Sequence, residues 1–143
     1  MKKKLNKKKP LRRNSARTKR SPNREPAIRT VMMPRDTNAL GSIFGGHILS
    51  LIDLAAGQHA RAVSPKSYVT KVMREIEFIA PVNVGDVVSF YCETVRIGTS
   101  SITIRVDVDA LRGVDFVQNI RVTSAEVVMV AIDKDGKPIP VRS

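Results

Sequence analysis

Asp53 stands between Ile52 and Leu54 in a stretch, His47 to Val63, whose only other fully charged side chain is Arg61. Ile48, Leu51, Ile52, Ala55 and His59 fall at i, i+3, i+4, i+7 and i+11, which predicts a helix. Leu49, Leu54, Ala56 and Ala60 extend the apolar character round its circumference, so the helix reads as mostly buried. An ionised carboxylate in such a setting is costly unless something faces it, and groups of this kind cluster at functional sites. The chemistry open to Asp53 is proton abstraction from water or direct attack on an electrophilic carbon. A purely structural role would need an exposed strip shared with Ser50 and Gly57, or an ion pair with Arg61 two turns on. The apolar circumference speaks against the first and the separation against the second.

The second candidate is the start of the same helix. Gly45-Gly46 precedes its first turn, where backbone N–H groups lack intrahelical partners and the helix dipole favours negative charge. Such donors can hold a carbonyl oxygen that becomes an oxyanion. A plain loop with glycines for close packing accounts for the pair equally well, and neither a P-loop nor a GxGxxG spacing is present. No Ser-His-Asp arrangement emerges, because no GxSxG flanks either histidine, and His47 and His59 lie three turns apart on one helix. Two histidines and one cysteine cannot build a structural zinc site, so no metal is expected. Cys92, in Ser-Phe-Tyr-Cys-Glu-Thr-Val, reads as a small strand residue turned inward rather than a reactive thiol.

The elements that must position these residues follow from pattern. Ile28 to Met33 suggests a strand ended by Pro34, and the loop from Arg35 to Gly46 carries Asp36, Asn38 and Gly41. The helix stops before Ser64-Pro65. Tyr68 to Ile79, Val87 to Ile97, Ser101 to Leu111 and Asn119 to Ile132 read as long strands. Ser101 to Leu111 alternates, with Ile102, Ile104, Val106, Val108 and Ala110 on one face and Thr103, Arg105, Asp107 and Asp109 on the other. The last strand is apolar on both faces from Val127 onward, which suits a central or interface position. Asp133 to Lys137 is a closing turn. This order predicts an α+β fold, an antiparallel sheet packed on one long helix.

Composition bounds the alternatives. At 143 residues with 42% hydrophobic and 27% charged side chains, the chain is one globular domain's worth. The formal net charge is +12, but residues 1–25 hold 12 of the 25 Lys and Arg and a single acid, Glu25, while the rest is close to neutral. Residues 1–26 therefore read as a disordered basic tail and residues 27–143 as the domain. The tail suits contact with RNA or an anionic surface, though no aromatic residue interleaves its charges to stack on bases. No apolar run is long enough for a transmembrane helix, and no apolar core follows the basic N-terminus as in a signal peptide. A cytoplasmic location is expected.

Asp36-Thr37-Asn38-Ala39-Leu40-Gly41-Ser42-Ile43-Phe44-Gly45-Gly46 followed by Ile48-Leu49-Ser50-Leu51-Ile52-Asp53 resembles the hotdog-fold acyl-CoA thioesterases of the YciA type, relatives of the brain-type acyl-CoA hydrolases. Phe78-Ile79-Ala80-Pro81-Val82-Asn83-Val84-Gly85-Asp86 and Gly98-Thr99-Ser100-Ser101 match two further segments of that family, and the likeness spans roughly residues 27–135. It departs at Ser42, where the family often has an acid, and in the basic tail. The resemblance implies a hotdog fold, a sheet wrapped around one central helix, in dimers joined edge to edge and often assembled into hexamers (trimers of dimers). It implies hydrolysis of acyl-CoA to free acid and coenzyme A with no cofactor, coenzyme A being part of the substrate. Asp53 would be base or nucleophile, and Asn38 from the partner subunit would position water or thioester. Backbone N–H groups of Gly46 and His47 would receive the thioester oxygen. Gly98, Ser100 and Ser101 would line the coenzyme A side and Ile43, Phe44 and Met73 the acyl side, with Gly45 also contacting substrate.

Three competing readings are separable. A hotdog protein that binds acyl-CoA without hydrolysis needs neither Asn38 nor Asp53. A nucleic-acid-associated protein acting through its tail would bind in a salt-sensitive way lost with residues 1–25. A hotdog dehydratase would want an Asp–His pair, and neither His47 nor His59 sits in one.

Overall fold

The computed structural model describes residues 24–142; the expectation of a disordered tail falls largely on residues 1–23, which lie outside the described residues. The elements are β1 (Ile28–Val31), a 3-10 turn (Pro34–Asp36), α1 (Gly45–Val63), β2 (Ser67–Phe78), β3 (Val87–Ile97), β4 (Ser101–Arg112) and β5 (Gln118–Ile132). All strand pairs are antiparallel, in the order β1-β3-β4-β5-β2. The sheet curls round α1, so the expected α+β arrangement of one helix held in an antiparallel sheet is what the chain forms.

Each boundary has a local cause. β1 ends at Val31, Pro34 opens the 3-10 turn with no N–H to continue the ladder, and the Asp36 carboxylate caps the turn by accepting the Met33 N–H at 2.9 Å. α1 stops where Pro65 forbids another turn; Ser64 closes it by donating its N–H to Ala60 O at 3.0 Å and its hydroxyl to Val141 O at 2.7 Å. One face of α1, carrying Ile48, Ile52, Ala55, Ala56 and Ala60, is buried on Ile102, Ile104, Val106 and Val108 of β4 and on Val127 of β5. The helix was expected to be buried nearly all round. Instead Leu54 is 60% exposed and Ser50 is open, because a single sheet covers only one side of the cylinder.

The outward face of β4 also departs from simple alternation. Asp107, Asp109 and Thr103 are buried although they point away from α1. Arg121 lies across both acids, its Nη1 3.5 Å from Asp107, and Arg105 reaches Asp107 at 3.2 Å. Long arginine stems thus roof a polar face.

Two features of the sheet bear on the site. First, the β2–β3 connection is clamped: Gly85, at φ +91°, donates to Met32 O at 2.8 Å, and the buried Asp86 takes a two-pronged bond from Arg112 at 3.0 and 2.7 Å. Arg112 also reaches Pro81 O at 2.9 Å, and Val82 O accepts the Ile43 N–H at 2.9 Å, tying this connection to the loop before α1. The matched Phe-x-x-Pro-x-x-x-Gly-Asp segment is therefore a mechanical clasp. Second, the outer edge of β2 is bonded to no strand among the described residues. β2 is largely exposed over its twelve residues and carries two register shifts, at Lys71 and around Glu75-Ile76, with Glu75 at φ 55°.

Candidate active site

Asp53 lies half-buried on the side of α1 that faces the start of β2. Thr70 donates its hydroxyl to Asp53 Oδ1 and also approaches Met129 Sδ at 3.6 Å. The two line an open cleft of ≈ 590 Å³ with Leu54, Gly57, Tyr68 and Met129. With one carboxylate oxygen fixed by Thr70, the other is left for a reacting group. Arg61, weighed above as a partner, instead donates to Gln58 Oε1 at 2.8 Å, so Asp53 is not half of an intrahelical ion pair.

The helix start sits about 12 Å up the axis, eight residues at 1.5 Å each. Here Phe44 is the N-terminal cap residue, with extended backbone. The His47 N–H donates to Phe44 O at 3.0 Å, whereas those of Gly45 and Gly46 have no acceptor among the described residues. Of the two donors expected, Gly46 is thus available and His47 is engaged; Gly45 joins it. The Phe44 ring rests so closely on Gly46 that a Cβ there would lie 2.6 Å from it, and a Cβ on Gly45 would meet the Phe78 ring at 3.4 Å. Only the approach at Gly46 demands glycine; a Cβ on Gly45 would make a close but ordinary contact.

Asn38 is locked into its own loop. Its Oδ1 accepts the N–H groups of Leu40 at 2.8 Å and Ser42 at 3.3 Å, and Ser42 O accepts the Asn38 N–H at 2.8 Å. Two backbone donors define which side-chain atom is oxygen, so the group Asn38 can offer outward is its amide N–H. Ser42, the departure from the family pattern, also takes a 3.3 Å bond from Asn38 Nδ2. His47 Nε2 is 3.5 Å from Asp36 Oδ2, beside the helix start.

The remaining expected residues are spread out. Ile43 and Gly45 line an apolar pocket beneath the helix start; Phe44, Gly46 and His47 line a neighbouring cleft with Asp36. Met73 packs against the core from β2, opposite Val127. Gly98, Ser100 and Ser101 form the β3–β4 turn, pinned by Gly98 N–H to Ser101 O and Ala131 N–H to Ser100 O, both 2.8 Å. Within one chain, then, Asp53 lines a different cleft from the glycines, and Asn38 lines neither. Thr70, Phe78 and Asp36 are the site neighbours that sequence reasoning missed; a strand residue's contact with a helix depends on register, which pattern does not give. Among the described residues no group of three or more His, Cys, Asp or Glu is placed to share a metal ion.

Away from this region, burial holds His59 below its ordinary pKa, and its Nε2 lies 2.7 Å from Thr94 Oγ1. Burial pushes the Cys92 thiol up to about 12, opposed by Arg24, whose guanidinium sits 4.6 Å over the Tyr91 ring. No helix among the described residues is long and apolar enough to cross a membrane.

A long helix cradled by a five-stranded antiparallel sheet, with its N-terminal loop strapped to the β2–β3 connection, defines the hotdog class. The chain belongs to the thioesterase superfamily, whose family model matches residues 40–117. It is 38% identical over 123 residues to the acyl-CoA thioester hydrolase YciA of Salmonella typhimurium, covering 85% of this chain and 92% of that one. Among solved structures it is similar to Cj0915, a hexameric hotdog fold thioesterase of Campylobacter jejuni, at 44% identity and a TM-score of 0.77 over 82% of this chain and 90% of that one. It is also similar to HI0827, a hexameric broad specificity acyl-coenzyme A thioesterase solved as an Asp-to-Ala mutant, at 35% identity and a TM-score of 0.79, covering 81% and 85% of the two chains.

Proposed function

We propose that this chain hydrolyses acyl-CoA thioesters as a homodimer joined through β2, with each site built from Asp53 of one protomer and the helix start of the other. The observation that carries the reading is the pairing of Asp53 with Thr70 in an open cleft beside a strand edge that has no neighbour among the described residues. Proton transfer needs contact near 3 Å, and the donors of the same chain are about 12 Å away along the helix. Two copies of β2 laid antiparallel bring the start of one strand beside the end of the other. Thr70 is near the start; Phe78, stacked on Gly45, is at the end. The dimer therefore sets Asp53 beside the partner's Gly45, Gly46 and Asn38. An unpaired twelve-residue edge calls for such a neighbour.

The chemistry follows. The partner's Gly45 and Gly46 N–H groups hold the thioester oxygen, and the Asn38 amide N–H steers the water or the carbonyl. Asp53 takes a proton from water, whose oxygen attacks the carbonyl carbon. The tetrahedral oxyanion collapses, the C–S bond breaks, and the proton passes from Asp53 to the departing thiolate, giving free acid and coenzyme A. Direct attack by Asp53, forming a mixed anhydride, would use the same groups. The relatives named as acyl-CoA thioester hydrolases and the hexameric solved structures support both substrate and assembly.

Free thiol released from short to long acyl-CoAs by wild type and Asp53→Ala tests the reading. The mutant should lose at least about 100-fold in kcat while remaining folded and oligomeric. Co-refolding Asp53→Ala with Asn38→Ala should restore about a quarter of wild-type activity, since half the dimers then hold one intact site of two. No turnover by wild type on any chain length would remove the hydrolase reading; no restoration in the mixture would remove the shared site.

A further inference from the structure

Thr123, one of the residues lining the pocket beneath the helix start, carries a hydroxyl that packing does not explain. The pocket encloses ≈ 350 Å³ and is lined by Ile43, Ile48, Phe78, Val82, Gly45 and Thr123 among others. Ile43, Ile48 and Val82 are buried and give the pocket an apolar floor, while Ser42 and the exposed Phe78 stand at its open side. Thr123 enters from β5, opposite Val108 of β4 and Phe78 of β2, in step with the helix-facing Ala125 and Val127. Thr123 is 1% exposed, and its Oγ1 has no hydrogen-bond partner among the described residues. Valine has the same shape and would avoid an unsatisfied buried hydroxyl. The hydroxyl oxygen is itself covered, and a turn about χ1 brings it to the pocket wall in place of the methyl.

Gly45 connects this pocket to the reaction: its N–H is one of the two free donors at the helix start, and the residue itself lines the pocket. A chain extending from a carbonyl held there runs into the pocket towards Thr123. We infer that this pocket receives the acyl chain and that Thr123 biases the enzyme towards short chains bearing a hydroxyl or keto group over plain chains of the same length. The inference rests on the hydrolase reading above. A site with a hydroxyl waiting for a partner discriminates against a ligand that leaves it unpaired, whereas an all-apolar pocket separates such ligands poorly.

The experiment compares kcat/KM for butyryl- and hexanoyl-CoA with that for their 3-hydroxy and terminal-hydroxy counterparts, in wild type, Thr123→Val and Thr123→Ser. The hydroxy-to-plain ratio should fall about 10-fold or more in Thr123→Val and should persist in Thr123→Ser. Thermal melts confirm that all three proteins are folded. A ratio unchanged within twofold in Thr123→Val for every pair overturns the inference while leaving the hydrolase reading intact, as does a serine variant that behaves like valine. Failure of wild type to cleave any of these esters would instead overturn the hydrolase reading on which the inference stands.

Discussion

Replacing Asp86 with asparagine tests whether the clasp between the β2–β3 connection and β4 holds the domain together. Asp86 is 2% exposed and accepts Arg112 Nε at 3.0 Å, Arg112 Nη2 at 2.7 Å and the Asn83 N–H at 2.9 Å. Hydrogen bonds to charged groups contribute about 1.5–3 kcal/mol each, and breaking a fully buried pair costs about 3–5 kcal/mol. The Arg112 side chain is 25% exposed and can turn part of its guanidinium to water, while asparagine still accepts one bond. The net loss should therefore be about 2–3 kcal/mol. For a domain of this size, with about 4 °C per kcal/mol, Tm falls by about 8–12 °C. Arg112 is held above its ordinary pKa first by its hydrogen bond to Asp86, so its charge persists across all working pH and the loss should be flat from pH 6 to 9. Urea unfolding followed by circular dichroism, at one fixed protein concentration, should show a lower midpoint with an unchanged slope. KM should rise too, because Pro81 and Val82 of the same connection line the pocket under the helix start. A loss below about 0.5 kcal/mol would refute the argument, since it would mean that Arg112 is as well served by water as by Asp86.

Thr70→Val should lower kcat about 10- to 100-fold with little change in KM, because it removes the bond that orients the Asp53 carboxylate; steady-state kinetics checks this, and an unchanged kcat would deny Thr70 its positioning role. His59 titrates lower in the folded protein than in the unfolded chain, so its neutral form adds stability above about pH 6.5, and that contribution is lost as pH falls through the folded value. The urea midpoint of wild type should accordingly drop more between pH 7.5 and 5 than that of His59→Gln; parallel drops would contradict it. Cys92, raised to about 12 by burial, should react with a disulfide reagent at pH 8 only upon unfolding, and rapid labelling of the native protein would show that the strand does not shield it.

The helix and strands were legible because their periods were strong: Val87–Ile97 is bounded as the pattern implies, and α1 differs only in starting at Gly45 instead of His47. Asp53 was legible as a carboxylate among apolar neighbours. What the residue order hid was register and covering. The bulges at Lys71 and Glu75-Ile76 turn β2 so that Thr70 meets Asp53 and Phe78 meets Gly45, and no local signal announces either contact. Asp107 and Asp109 read as solvent-facing by alternation, yet arginines from β4 and β5 lie over them, because ion pairing can close a face that hydropathy leaves open. His47 looked available at the helix start, but a tight first turn engages its N–H with Phe44 O.

The bare edge of β2 also has a bearing on how such a protein behaves when it is scarce. Among the described residues, a lone copy leaves this long strand edge unpaired, flanked by Val69, Ile76 and Phe78, all exposed. That surface will pair with whatever strand arrives first, whether its own kind or another's. In the dimer proposed above that edge is covered, and the amount of chain present then bears on solubility as well as on activity. For such a dimer, dilution would act much as a mild denaturant does.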